Sequence, residues 1–250
     1  MSATQTYEWL HPTPAEHIGW DVDVLYGPWP RHERDLGLAQ VRAILDRSPV
    51  AGALALSTRG PLFHDGAGNA ETVRDLAACP ELLPVGTVDV RDALTAEERL
   101  DELAADGVRF LRLFTVEQAA EPGFPGYRRV VKLALERGMV LLHDGDPRRF
   151  GPALADRGAE VIFLDLHAYL LADFLLMARD EPGFRVTTRL LSGCDSIERV
   201  VDQVGSRHLV FGSRTPFMDI SPLTLRLRYA DISDDDRAAI STKNIEELLV

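Results

Sequence analysis

Short apolar runs rich in β-branched residues recur along the chain, and the polar segments between them are each long enough for one helix. That alternation is expected of parallel βαβ units, whose strands are buried on both faces. Eight runs read as strands: WDVDVL (20–25), VAGALAL (50–56), LLPVGTV (82–88), VRFLRLF (108–114), GMVLLH (138–143), AEVIFLDL (159–166), FRVTTRL (184–190) and HLVFGS (208–213). Helix starts between them carry capping chemistry. Thr95 with Glu98, and Asp195 with Glu198, place an oxygen at N-cap and an acceptor at N3. Towards the end of the chain Ser233 with Asp236 opens one helix and Asn244 with Glu247 opens another, with Asp234, Asp235 and Asp236 forming a solvated helix start.

Two loops rich in Gly and Pro, YGPWP (26–30) and EPGFPGY (121–127), each follow a strand. In a barrel this places them on the face that carries chemistry. HDGAGNA (64–70) holds two glycines but lacks the third glycine and the Lys-Ser/Thr ending of a phosphate cradle, so it reads as a loop leading into a helix.

With 250 residues, 46% of them hydrophobic, the chain has the length of one (β/α)8 barrel, and a single domain over 1–250 is expected. A balance of 27 basic against 39 acidic side chains gives a formal charge of −12, which argues against nucleic acid or an anionic membrane surface as partner. Cys79 and Cys194 are the only cysteines, and residues 1–14 lack the basic and apolar regions of a signal peptide. A cytoplasmic setting is the expectation. No apolar run approaches the roughly 20 residues that span a bilayer.

Specific chemistry enters with HLVFGSRTPFMD (208–219). This stretch resembles the last barrel strand of the amidohydrolase-related family, hydrolases and decarboxylases whose strand ends in Phe-Gly-Ser-Asp-x-Pro-Phe. Arg214 stands where the family has its Asp. In the first strand the family's His-x-His pattern, aligned on the Gly-Pro-Trp-Pro that follows, falls on Asp23 and Leu25. MVLLHDGD (139–146) puts His143 at the position of a metal-binding histidine, and VIFLDLHAY (161–169) offers either Asp165 or His167 for the next one. Side chains two apart in a strand share a face, so Asp165 and His167 are expected to point together to the barrel mouth. The closing segment, an acidic helix start followed by an Asn-capped helix, also resembles the family. The resemblance implies a TIM barrel with a C-terminal helical extension, assembly into oligomers, and hydrolase or decarboxylase chemistry at a divalent metal.

The departures fall on the ligands themselves. The family's Asp binds the metal or accepts a proton from metal-bound water, whereas a guanidinium carries only donors and stays protonated. Arg214 is therefore expected to sit where the metal would, neutralised by Asp23 and Asp165. Arg112 and Arg189, at the ends of the fourth and seventh strands, add positive charge to the same mouth, and a small carboxylate is the natural ligand. Asp144 and Asp146 read as loop caps, Asp21 as a strand-end cap and Cys194 as packing. Leu25, Tyr26 and Phe114 are large enough to fill the mouth.

Three readings stay open. In the first, the chain is a barrel without cofactor, acting as a non-catalytic partner of an active amidohydrolase paralogue or binding a small anion. In the second, it is a metal-independent decarboxylase, isomerase or lactone hydrolase with His143 or His167 as acid/base and Asp165 and Arg214 in the site. In the third, one zinc or manganese ion is retained on Asp23, His143 and His167.

Overall fold

A computed structural model describes residues 17–30 and 36–249. Eight strands form one sheet in sequence order: β1 (Ile18–Tyr26), β2 (Val50–Ser57), β3 (Leu82–Thr87), β4 (Phe110–Leu113), β5 (Val140–His143), β6 (Val161–Phe163), β7 (Phe184–Thr187) and β8 (Leu209–Val210). Each of the first seven pairs in parallel with its successor. The sheet then closes on itself. Val22 N–H donates to the Phe211 carbonyl at 3.1 Å and Leu25 N–H to the Thr215 carbonyl at 2.9 Å, joining β1 to the chain that leaves β8.

The helices in chain order are α1 (Leu38–Leu45), α2 (Arg59–Leu62), α3 (Asp65–Leu76), α4 (Ala96–Ala105), α5 (Pro125–Glu136), α6 (Pro147–Leu154), α7 (Leu171–Asp180), α8 (Ser196–Val204), α9 (Ser221–Tyr229), α10 (Asp234–Ala238) and α11 (Asn244–Leu249). The connections between consecutive strands all contain helix, as parallel crossovers require. The architecture is a (β/α)8 barrel with helices beyond its last strand.

Two apolar clusters separate the faces of the strands. The outer one, between sheet and helices, includes Val24, Leu111, Leu141, Val161, Phe163, Phe184 and Val186. The inner one fills the barrel with Val22, Leu54, Leu56, Val85, Phe110, Phe114, Val140, Leu142, Ile162, Leu164 and Val210. Leu25 joins the inner cluster, whereas Tyr26, expected beside it, packs in the outer one. The inner cluster is completed by Ile245 and Leu248 of α11. Asn244 holds that helix in place by donating to the Ser206 and Leu209 carbonyls, each at 2.8 Å.

Of the four expected caps, only Ser233 accepts the N3 hydrogen bond, from Asp236 N–H at 3.1 Å. Thr95 and Asp195 make no side-chain cap bond, because Thr95 Oγ1 turns back to Asp92 and Asp195 adopts a left-handed backbone with φ of 56°. The segment 64–70 is helical from Asp65 onward, not a loop, since the His64 ring accepts the Ala67 N–H and serves as N-cap of α3.

Candidate functional site at the barrel mouth

The carboxyl ends of the strands bring three arginines and three aspartates together. Asp23 comes from β1, Arg112 from β4, Asp144 from the residue after β5, Asp165 from the loop after β6, Arg189 from beyond β7 and Arg214 from beyond β8. β1 presents Asp23 through a bulge. Asp21 and Val24 are three residues apart yet pair with Ala53 and Ala55, which are only two apart. The extra residue switches the inward parity of the strand, so that Val22 and Leu25 both enter the inner cluster with Asp23 between them.

Asp23 is wholly buried and lies at the centre. Its Oδ1 accepts from Arg112 Nη1 at 2.7 Å, its Oδ2 accepts from Arg214 Nε at 2.7 Å, and Arg189 Nε lies 3.7 Å from Oδ2. Burial alone pushes the carboxyl up, but the guanidiniums of Arg214, Arg112 and Arg189 outweigh it and hold Asp23 well below the usual carboxylate range. Asp144 accepts from Arg112 Nη2 at 3.1 Å and from Arg214 Nη2 at 3.5 Å. Here burial prevails over the two guanidiniums, and the carboxyl is pushed up to about 6.

Asp165 Oδ1 is shared between Arg189 Nη2 and Arg214 Nη2, the latter at 3.0 Å, while Oδ2 accepts from Gly145 N–H at 3.1 Å. Gly145 has φ of +93°, a conformation that side-chain-bearing residues rarely adopt and that turns its amide to the site. Arg214 also has positive φ, 65°, and carries its guanidinium back over the mouth. Burial works against the charge on Arg214, but Asp23, Asp144 and Asp165 raise its pKa above the ordinary arginine value.

Beneath Arg214, Asp21 buckles β1 to the end of β8. It accepts from Asp23 N–H at 3.0 Å and Ser213 N–H at 2.9 Å, and hydrogen-bonds Ser213 Oγ. No cation among the described residues pairs with it, and burial pushes its carboxyl up to about 7 in spite of those bonds. Ser213 Oγ also accepts from Thr215 N–H at 2.9 Å and stands 2.7 Å from Thr215 Oγ1. One hydroxyl proton cannot serve both Thr215 and a carboxylate, so the arrangement suits an Asp21 that keeps its own proton.

The histidines lie elsewhere. His143 belongs to the outer face: its Nε2 is 2.9 Å from Tyr127 Oη, and its ring packs on Phe150 and Phe163 at centroid distances of 4.5 and 6.0 Å. It is fully buried among helices α5 and α6, and burial depresses its pKa to about 4. His167 lies beyond the regular end of β6, exposed, with its ring stacked on Tyr169 at 5.0 Å. Neither takes part in the ion pairs of the mouth, so the structure does not bring His143 and His167 to Arg214 as expected. Asp144, read from sequence as a loop cap, is instead a full member of the cluster. Asp146 does cap, accepting the Arg148 N–H at 2.9 Å.

The donor set does not fit a divalent ion. Asp23, Asp144 and Asp165 are each occupied by guanidinium donors, and among the described residues no three His, Cys, Asp or Glu side chains are grouped so as to hold a metal. Of a retained site on Asp23, His143 and His167, one imidazole is engaged by Tyr127 and the other stacks on Tyr169. The aromatic side of the mouth is formed by Trp29 and Phe217, whose rings lie 5.4 Å apart against the inner cluster. Phe217 N–H donates to the Arg214 carbonyl at 2.9 Å.

No protein-family profile matches the sequence, and no curated protein matches it. Solved structures do. The chain superposes on 2,6-dihydroxybenzoate decarboxylase from Rhizobium with a TM-score of 0.71 at 12% identity, over 93% of this chain and 99% of that one. With 5-carboxyvanillate decarboxylase from Novosphingobium aromaticivorans, complexed with manganese and 4-hydroxy-3-methoxy-5-nitrobenzoic acid, the TM-score is 0.75 at 11% identity, over 94% and 97% of the two chains. An uncharacterized TIM-barrel protein from Bordetella bronchiseptica gives 0.73 at 13% identity, over 92% and 98%. At such identities the likeness lies in the fold, a (β/α)8 barrel.

Proposed function

We propose that this protein is an amidohydrolase-like barrel that works without a metal and binds a small aromatic carboxylate at its mouth. The observation that carries the reading is the seat of Arg214, whose guanidinium lies among Asp23, Asp144 and Asp165 where the sequence resemblance puts the metal. A permanent cation there repels a dication, and its Nη2, beside that of Arg189, is an N–H donor for an anion. The Trp29–Phe217 ring pair supplies an apolar wall beside it, suited to a ring attached to that carboxylate.

Binding without turnover is the version of this reading we favour, because His143 and His167 stand apart from the ion-pair cluster. The chain would then act as an anion-binding protein or as the non-catalytic partner of an amidohydrolase paralogue. Self-assembly or assembly with such a paralogue is supported by apolar side chains exposed on loops around the mouth, among them Phe63, Val116, Phe124 and Tyr169.

The test is titration calorimetry with benzoate on chelator-treated protein. Saturable binding that is unchanged by added manganese and lost in Arg214→Gln supports the proposal. Binding that appears only with manganese, or that persists in Arg214→Gln, overturns it.

A further inference from the structure

The ion-pair cluster is neutral as it stands, with three guanidiniums against three carboxylates. An added carboxylate would leave an uncompensated charge in a buried site, which is strongly disfavoured. One of the resident carboxylates must therefore give way. Asp23 and Asp144 side chains are 0% and 2% exposed, whereas Asp165 is 24% exposed and sits on the loop between β6 and the helical turn at Ala168–Leu170. Of the three, only Asp165 can leave the cluster without unpacking the barrel.

What Asp165 would leave behind is a complete receptor for a carboxylate. Arg189 and Arg214 donate to one oxygen and Gly145 N–H to the other, so three donors from three different loops converge on one planar group. Arg189 is further steadied by donating to the Leu164 carbonyl at 3.0 Å, and Arg214 by its bond to Asp23, so both donors keep their positions when Asp165 moves.

We propose that Asp165 is a built-in occupant of the carboxylate cradle formed by Arg189, Arg214 and the Gly145 amide, and that a ligand carboxylate binds by displacing it. This rests on the mouth being the binding site and adds how that site is regulated. The resident side chain competes with every incoming anion, so apparent affinity is the intrinsic affinity scaled by the fraction of time the cradle is vacant. Weak anions are rejected. A ligand whose ring also gains the Trp29–Phe217 wall has the extra interaction needed to win the exchange.

The experiment compares benzoate titrations of the unaltered protein, Asp165→Ala and Asp165→Asn, together with thermal melts in the presence of formate. Vacating the cradle in Asp165→Ala is expected to tighten benzoate binding by about tenfold or more. Asp165→Asn, whose amide still fills the cradle, is expected to gain less, and this separates vacancy from a mere loss of negative charge. Formate is expected to raise the melting temperature of Asp165→Ala and leave that of the unaltered protein unchanged.

Equal benzoate affinity in the unaltered protein and Asp165→Ala, or equal gains in the Asn and Ala variants, would overturn the proposal. So would formate stabilising both proteins alike. If the unaltered protein fails to bind benzoate while Asp165→Ala binds it, the cradle stands and the ligand-binding role of the unaltered chain falls. Binding to the unaltered protein with no gain in Asp165→Ala does the opposite, keeping the binding role and removing the displacement. Should Asp165→Ala not fold, Asp165→Asn still has to bind more tightly than the unaltered protein.

Discussion

Arg214 Nε and Asp23 Oδ2 meet at 2.7 Å although the two residues are 191 positions apart, because they flank the seam where the barrel closes. Their contact joins the first strand to the last at the point of highest charge density. It is also the hub of the cluster, since Asp23 faces Arg112 and Arg189 as well.

The cost of breaking the cluster should therefore follow depth. Asp23→Asn leaves three guanidiniums facing a neutral group and is expected to lower the unfolding free energy by about 3–5 kcal/mol. Asp165→Asn, whose side chain is partly exposed, is expected to cost less than Asp23→Asn. Urea denaturation of the two variants measures both, and an equal cost would contradict the hub role of Asp23.

Metal uptake should depend on Arg214. Unaltered protein offered zinc and manganese is expected to retain neither in stoichiometric amount by elemental mass spectrometry. Arg214→Asp, which removes the cation and adds a fourth carboxylate, is expected to gain metal. Stoichiometric metal in the unaltered protein would return the chain to metal-dependent chemistry.

The buckle at Asp21 carries a pH signature. Its carboxyl is pushed up to about 7 in the fold from an ordinary value of 3.8, so folding takes up a proton between those limits. The stability this proton supplies is complete below pH 3.8 and is lost as pH rises through 7. Asparagine can make the same bonds, accepting from the two N–H groups and donating to Ser213 Oγ, without ever ionising. Asp21→Asn should thus gain on the unaltered protein as pH rises from about 4 to about 7, by up to about 4 kcal/mol. A gap that stays constant across that range would show that Asp21 does not titrate there.

His143 is expected to matter for stability alone. Tyr127→Phe removes the partner of a buried imidazole and should cost about 1 kcal/mol. His143→Ala opens a cavity among Tyr127, Phe150 and Phe163 and should cost about 3 kcal/mol. Benzoate binding in both variants should match that of the unaltered protein, and a loss of binding in folded His143→Ala would place the ring in the site after all.

The eight strands were legible because each is an apolar run long enough to see, and the order of elements followed from the helical spacers between them. Which face each strand turns inward was harder to read. β5 is apolar on both sides, so Val140 and Leu142 look no more interior than Leu141, and the resemblance alone assigned His143 to the mouth. The period-two pattern does put Asp144 with Val140 and Leu142, and a count of parity across neighbouring strands would have found it. His167 was missed for another reason: regular strand ends at Phe163, and alternation says nothing beyond that point. Arg214 was the most informative position, since a lone cation in an otherwise recognisable strand ending has to find carboxylates.

The position of α11 has a consequence for how the chain is made. Ile245 and Leu248 belong to the inner cluster whose other members include Val22 and Leu54, so the interior of the barrel is short of two side chains until residue 248 has left the ribosome. Completion of the native interior is thereby deferred until α11 has emerged, and a nascent chain stalled before residue 245 would leave the apolar side chains that Ile245 and Leu248 cover without those partners.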